Sequence, residues 1–370
     1  MGTRRRRGKR SGGTAKSRGA RWAYLTRAGS EQDVLDELDG VKAERLATGL
    51  VLASRRVMRP DGTPIVPAFA RQAMRTEGRR VSARPEPVAT ALAKVIHSAY
   101  PDDRRWPWTL QVVVPDSRDP QDPRRAQARE IDETIAEHLD ARLERRIAEA
   151  FVDDPEEADR LAQVWLIDPS TAIIGFTPSQ DALTVVPGGR IKLDREEDSP
   201  SRSGLKLREA IGWIGVGPDR GDTVAYLGAA PGGWTSVAVK RGAKVVAVDY
   251  KPLAVKLPPK KIRFVGADAF AYVPDETYDW LLCDLSARPL DVAKLIAKWG
   301  RRVWARQVIA SFKLPMKRKA DTLARILSTI EGGGYNGVRA RQLFHDRNEV
   351  TVFGWLDPRA AGRNYRRERR

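Results

Sequence analysis

The stretch "YLGAAPGGWTSVAVKRGAKVVAVD", Tyr226 to Asp249, decides the fold. An apolar run ends in a turn of Gly, Ala and Pro. A helix-like segment follows, and a second apolar run ends in a carboxylate. Strand, helix and strand in that order, joined by a short glycine turn, open a parallel sheet with helices on both faces. In such sheets ligands sit beyond the carboxyl ends of the strands, where the first strand passes into its helix. Gly228, Gly232 and Gly233 carry no side chains there, so the backbone of the turn from Gly228 through Ala230 and Pro231 can approach a ligand closely. The helix starting near Trp234 aims free N–H groups at any anionic part of that ligand.

The alternation continues outward from this unit. Strands are expected at Thr223–Leu227, Val245–Val248, Arg263–Val265, Trp280–Cys283 and Val308–Phe312, with helices between them, notably Leu290–Trp299 and Met316–Glu331. "VRARQLF" (Val338–Phe344) and "EVTVFGW" (Glu349–Trp355) form a closing hairpin, so one antiparallel strand finishes the sheet.

Asp249 ends the second strand, about twenty residues past the first glycine, where a carboxylate accepts the two ribose hydroxyls of a nucleoside. The turn is neither G-x-G-x-x-G nor a P-loop with its Lys-Ser/Thr pair, so a pyrophosphate is poorly served. A nucleoside carrying a small carboxylate fits better, which favours S-adenosylmethionine. Asp268, at the end of the third strand, is within reach of an adenine amino group. Asp284, at the end of the fourth, stands beside the methyl-donor position. One strand-end Asp is often only a helix cap; three in succession argue for a site.

The acceptor should show after the fourth strand. "CDLSA" lacks the Asn/Asp, two prolines and aromatic of adenine amino-group methylases. Cys283, the only cysteine, falls inside a strand, where burial outweighs reactivity as a cytosine C5 nucleophile. A hydroxyl acceptor needs a general base, and a lysine in a cationic or desolvated site can serve. Lys313 in "SFKLPMK" ends the fifth strand on the rim that holds Asp284, and Lys206 and Glu349 can reach the same rim.

A net charge of +18 over 370 residues favours an anionic partner, nucleic acid first. Part of the excess is terminal: "RRRRGKRSGGTAKSRGAR" (Arg4–Arg21) and "RNYRRERR" (Arg363–Arg370) read as disordered basic tails. A single cysteine excludes an internal disulfide framework and suits a reducing cytoplasm. No apolar run approaches the roughly 18 residues of a membrane span, and no apolar core follows the charged start as a secretory signal requires. His97 and His138 lack metal-ligand spacing, and His345 reads as a surface hairpin histidine. Trp106 and Trp108, beside arginines, can stack on unpaired bases, with simple packing the plainer reading.

Before the sheet, "WAYLTR" (Trp22–Arg27) reads as a strand, Glu31–Gly40 as a helix and Ala47–Ser54 as a strand. Pro-rich pieces at Met58–Pro67 and Ala83–Val88 place a boundary near residue 80. A helix at Pro87–Tyr100, a strand at Trp108–Val114, a long helix over Arg124–Phe151 and a hairpin of Gln163–Asp168 with Thr171–Thr177 follow. Polar Leu193–Gly204 marks a second boundary. The expected divisions are a basic tail (1–21), α+β modules at 22–82 and 83–192, a catalytic domain at 198–357 and a basic tail (358–370).

"SPSRSGLKL", "LGAAPGGW", "CDLSARP", "SFKLPMK" and "ARQLFHDRNEVTV" occur in the order of the FtsJ-like ribose 2′-O-methyltransferases, and the chain resembles that family from about Ser199 to Trp355. More narrowly it is similar to the bacterial branch that methylates a cytidine ribose of 23S rRNA. The resemblance implies an α/β fold with a C-terminal Rossmann-like, S-adenosylmethionine-dependent domain. It further implies that 22–82 is ferredoxin-like and 83–192 a THUMP-like RNA-binding module, which match only in size, order and coarse pattern. The family's Lys-Asp-Lys-Glu set falls on Lys206, Asp284, Lys313 and Glu349, with Lys313 taking the 2′-hydroxyl proton. Donor contacts fall on Ser203, Gly228, Ala230 to Gly233, Trp234, Asp249, Asp268 and Asp284, with no metal. The partner is 23S rRNA, naked or in a partly assembled large subunit, in the cytoplasm. At Tyr226 the family usually carries Asp. Another RNA substrate, such as tRNA or a cap, and a non-catalytic rRNA-binding role stay open on the sequence.

Overall fold

The computed structural model describes residues 20–58, 62–100, 106–117, 119–195, 200–346 and 348–357. Nearly all of both expected basic tails (1–19 and 358–370) and residues 196–199 of the second expected boundary lie outside the described residues.

The N-terminal half builds one seven-stranded sheet. Its elements are β1 (Arg21–Thr26), α1 (Glu31–Glu37), β2 (Ala43–Ala47), β3 (Leu50–Ala53), β4 (Ala70–Ser82), α2 (Pro85–Ala99), β5 (Trp108–Val113), α3 (Arg124–Asp140), α4 (Arg145–Ala148), β6 (Arg160–Asp168) and β7 (Thr171–Pro178). The strand order is β2-β3-β1-β4-β7-β6-β5. β4 joins the two ends of this sheet. Its first part pairs antiparallel with β1, from Arg21↔Thr76 to Thr26↔Ala70, and its last part with β7, from Thr76↔Gly175 to Ser82↔Thr171. The boundary expected near residue 80 therefore falls at the end of a shared strand. α2 buries Val88, Ala89, Leu92, Ala93 and Ile96, and α3 buries Ala128, Ile131, Ile135 and Leu139; both stripes have the spacing of a one-faced helix.

Two expectations in this half are corrected. Ala47–Ser54 is not one strand, because a turn at Thr48–Gly49 divides it between β2 and β3. The long helix over Arg124–Phe151 breaks at an extended Glu144 (φ −61°, ψ 142°) into α3 and the single turn α4. The end of α4 after Ala148 leaves the Ile147 carbonyl to accept the Trp108 indole N–H at 2.8 Å. That bond and burial fix Trp108 as core, while half-buried Trp106 lies under the Arg160 guanidinium, 4.4 Å from its ring centroid.

The C-terminal half holds α5 (Ser203–Ile214), β8 (Thr223–Leu227), α6 (Gly233–Lys240), β9 (Lys244–Asp249), β10 (Ile262–Gly266), β11 (Tyr278–Cys283), α7 (Pro289–Arg301), β12 (Ala305–Lys313), α8 (Lys319–Glu331), β13 (Tyr335–Arg341) and β14 (Glu349–Leu356). The order β10-β9-β8-β11-β12-β14-β13 is parallel except for β14, which runs antiparallel to both neighbours. This is the α/β sheet expected. Along the central strands side chains alternate between faces: Val224, Tyr226, Ala247, Trp280 and Leu282 pack with α5 and α6, whereas Ala225, Leu227, Val248, Leu281 and Cys283 pack with α7 and α8. The helices expected on either side of β10 are missing. Between β9 and β10 the chain carries Pro252, Pro258 and Pro259, which cannot sit inside a helix, and it makes only a short 3-10 turn at Pro259–Lys261.

One apolar cluster crosses between the halves. Tyr24, Val34, Leu38, Phe69 and Ala73 belong to the same buried set as Ile296 and Trp299 of α7 and Ile326 and Ile330 of α8. Lys319 of α8 pairs with Asp33 of α1 at 2.7 Å, with both side chains largely buried. Arg341 of β13, itself buried, donates to the Arg71 carbonyl at 2.8 Å and the Leu183 carbonyl at 3.1 Å.

Candidate active site

The expected site residues converge on the carboxyl rim of the C-terminal sheet. Ser203 and Lys206 stand on the first turn of α5. Gly228 follows β8, Asp249 ends β9, Asp268 follows β10, Asp284 follows β11 and Lys313 ends β12. Glu349 opens β14 directly across from Lys313 in the antiparallel register. The Lys206 ammonium donates to Glu349 Oε2 at 2.6 Å, and the two side chains are only 14% and 13% exposed. Lys313 is exposed and donates to Ser286 Oγ at 3.0 Å, two residues beyond Asp284.

These groups set one another's charge. Burial lowers the proton affinity of Lys206, but the hydrogen bond to Glu349 and the charges of Asp284, Glu349 and Asp346 outweigh it and raise its pKa. Burial pushes the Asp284 carboxyl up from its ordinary value; Lys206 and Lys313 pull it down, and Glu349 pushes it further up. Asp284 therefore lies within the electrostatic reach of all three other members of the set.

The glycine turn is shaped by close approach. Gly228 has φ +81°, and a Cβ there would lie 2.8 Å from the Asp284 carbonyl. A Cβ on Gly233 would lie 2.4 Å from Ser203 Oγ and 2.5 Å from Ser201 Oγ, so only glycine admits the α5 turn against α6. Asp249 Oδ2 accepts the Ala230 N–H and Oδ1 the Lys251 N–H, both at 2.9 Å. A carboxylate keeps lone pairs beyond two such bonds, so half-buried Asp249 can still accept ribose hydroxyls. Asp268 accepts the Phe270 N–H at 2.9 Å and is half-buried. These features fit a nucleoside-bearing donor: glycines that admit it, and acids with spare acceptors along the same edge.

Trp234 is placed differently from the other expected contacts. Its indole is fully buried, stacks on Tyr226 at 5.7 Å and 13°, and donates to the Ser203 carbonyl at 2.9 Å. What it can offer a ligand is backbone; its ring ties α5 to α6. Tyr226, where the FtsJ-like pattern has Asp, is likewise buried. Burial, with the charges of Asp284, Cys283 and Asp249, raises its pKa well above the ordinary value, so it stays a neutral phenol. Cys283 is buried and its thiol is pushed up to about 12, chiefly by burial. That removes it as a nucleophile.

Sequence reasoning missed two acids. Glu209, one turn after Lys206, accepts the N–H groups of Phe344 and His345 at 2.7 and 3.0 Å and His345 Nδ1 at 2.7 Å. His345 is thus held on a buried carboxylate and is not the surface histidine expected. Asp346 is buried beside Lys206 and Glu349 and accepts the Leu343 N–H at 3.0 Å. Its carboxyl is pushed up to about 8 by burial, against the Leu343 N–H and Lys206. Glu209 lies just past the SPSRSGLKL motif, and Asp346 lies within ARQLFHDRNEVTV, where only Glu349 was assigned a role. Among the described residues no group of three or more His, Cys, Asp and Glu could hold a metal ion, and no helix is long and apolar enough to cross a membrane.

Comparison with known proteins gives this geometry a family. Residues 200–302 match the model of the FtsJ-like methyltransferases. A Halorhodospira halophila protein named ribosomal RNA large subunit methyltransferase M is 32% identical over 359 residues, 93% of this chain and 98% of the relative. Its namesake in Alkalilimnicola ehrlichii is 36% identical over 222 residues, 58% of this chain. A third, from Laribacter hongkongensis, is 38% identical over 232 residues, 56% of this chain. The last two alignments span 61% and 64% of those relatives, under two thirds of their length. On the near full-length match, this chain belongs to the ribosomal RNA large subunit methyltransferase M family, within the FtsJ-like methyltransferases.

Proposed function

We propose that this chain methylates a ribose 2′-hydroxyl of ribosomal RNA, at a cytidine of 23S rRNA, using S-adenosylmethionine. The observation that carries the reading is the meeting of Lys206, Asp284, Lys313 and Glu349 on one strand-end rim beside a glycine turn. When bound, S-adenosylmethionine supplies an electrophilic methyl group on a sulfonium that leaves as a neutral thioether. The chain's own residues do the rest. Asp249 and Asp268 orient the nucleoside end of the donor. Lys313, in its neutral form, accepts the 2′-hydroxyl proton as the oxygen attacks. Asp284 and Lys206 orient that hydroxyl, and Glu349, bonded to Lys206 and paired in register with Lys313, fixes the spacing of the two lysines.

The N-terminal half, with ferredoxin-like and THUMP-like modules, docks the RNA in this reading, and the setting is the cytoplasm. Active-site chemistry selects RNA over DNA, because DNA has no 2′-oxygen to accept the methyl. The test is a map of ribose methylation on unmodified 23S rRNA with wild type and Lys313→Ala, alongside donor binding by wild type and Asp249→Ala. The expected result is methylation by wild type and a loss of about a hundredfold or more in Lys313→Ala with donor affinity kept. Donor affinity should fall in Asp249→Ala. Near-normal turnover in Lys313→Ala removes Lys313 as the base; no donor binding by either protein of the second pair favours an RNA binder without this chemistry.

A further inference from the structure

Beside Lys313, between the start of α7 and the turn after β12, lies a cleft of ≈ 460 Å³. Arg288 and Lys294 bring two cations to it beside Lys313, and Leu290, Leu314 and Pro315 give it an apolar rim. Its one carboxylate, Asp291, is 3.9 Å from Lys294 across exposed side chains. A loose surface pair of that kind is nearly neutral in energy and yields readily to a better anion. The Arg288 side chain is exposed, and its guanidinium makes no hydrogen bond or ion pair among the described residues. Its backbone is held: its carbonyl accepts the N–H groups of Asp291 and Val292, and Pro289 follows it. A guanidinium on a fixed stem, with Lys294 lining the same cleft, suits a phosphate, whose oxygens match its planar fork.

The covalent structure of RNA says which phosphate this is. The 2′-oxygen and the 3′-phosphodiester sit on adjacent ribose carbons. A 2′-hydroxyl delivered to Lys313 therefore carries its own 3′-phosphate to the immediate surroundings of Lys313, and the cationic cleft opens there. We infer that the cleft holds the 3′-phosphodiester of the ribose being methylated, with Arg288 as its principal ligand and Lys294 as its second. The apolar rim then receives the nucleotide that follows. This rests on the ribose-methylation reading above and adds to it a demand for an internal ribose, since a 3′-terminal one brings no phosphate.

The test measures methyl transfer to unmodified 23S rRNA across a series of salt concentrations. It uses wild type, Arg288→Ala, Arg288→Lys and Lys294→Ala, with donor affinity determined separately. In Arg288→Ala the KM for RNA should rise about tenfold, and the slope of log KM against log salt should fall by about one, as for loss of one phosphate contact. Lys294→Ala should show the same change in smaller measure, Arg288→Lys should recover part of the loss, and donor affinity should hold throughout. A misfolded variant loses donor binding, which separates damage from a lost contact. Unchanged KM and salt slope in both alanine variants, with wild type active, overturns this inference alone. A wild type that binds donor yet methylates no ribose removes the inference together with the reading beneath it.

Discussion

Asp346, in the same motif as Glu349, stands against Lys206 and Glu349. With its carboxyl pushed up to about 8, against about 4 for an unfolded Asp, the folded chain keeps a proton there that the unfolded chain gives up. The stability tied to this proton is present at low pH and lost as pH rises through the window from about 4 to about 8. Asp346→Asn abolishes that dependence. The variant should therefore gain on wild type by about 2 kcal/mol as pH is raised from 6 to 8, read from chemical unfolding at each pH; a constant gap across that range would show Asp346 ionised in the fold. Glu349→Gln should act on turnover instead, because it loosens Lys206 and the spacing to Lys313. We expect kcat to fall at least tenfold with donor affinity within about twofold. At this scale the sequence was informative where chemistry sits at strand ends: the positions of Asp249, Asp284 and Lys313 follow from alternation, and Lys206 on α5 from its motif. Glu209 and Asp346 were not legible, since their partners are backbone N–H groups of a turn that comes into place only on folding.

Among the elements, the contact between α5 and α6 carries the most consequence for the site. Gly233 lets Ser201 and Ser203 lie against the start of α6, and Trp234 bonds back to the Ser203 carbonyl. A methyl group at 233 meets Gly204 N at 3.0 Å as well as both hydroxyls, so rotating the serines cannot clear it. Gly233→Ala should lower stability by about 1–3 kcal/mol, as overpacking does, and weaken donor binding about tenfold, measured by thermal unfolding and by titration. The strands around this contact were predictable because buried parallel strands read as short apolar runs. β4 was not. Its sequence, "ARQAMRTEGRRVS", is buried in its first five residues and largely exposed beyond them, so polar residues hide a thirteen-residue strand. The connections flanking β10 differ from expectation for the opposite reason: alternation predicts helices there, and Pro252, Pro258 and Pro259 forbid one between β9 and β10.

Over the whole molecule, the two halves are fastened by packed surface. Arg341, 8% exposed, reaches across to two carbonyls of the N-terminal half. Burial lowers its guanidinium to about 10, with Glu209 acting to raise it and Arg71 to lower it. Arg341→Met should leave the Arg71 and Leu183 carbonyls unpaired and cost about 1–3 kcal/mol. Calorimetry should then show the unfolding of the halves drawing apart, where wild type gives one transition. A separate C-terminal unit could be expected from the polar stretch Leu193–Gly204; the apolar cluster it shares with the N-terminal half could not, because Tyr24, Phe69 and Ile326 are far apart in the chain and meet only when both sheets exist.

That cluster has a consequence for choosing a target. In the proposed reading the N-terminal half docks the RNA, and halves joined along a common core then hold that surface at a set distance from Lys313, like the gap between the jaws of a caliper. A caliper picks its nucleotide by measuring from a gripped landmark, and it needs to read little of the local sequence.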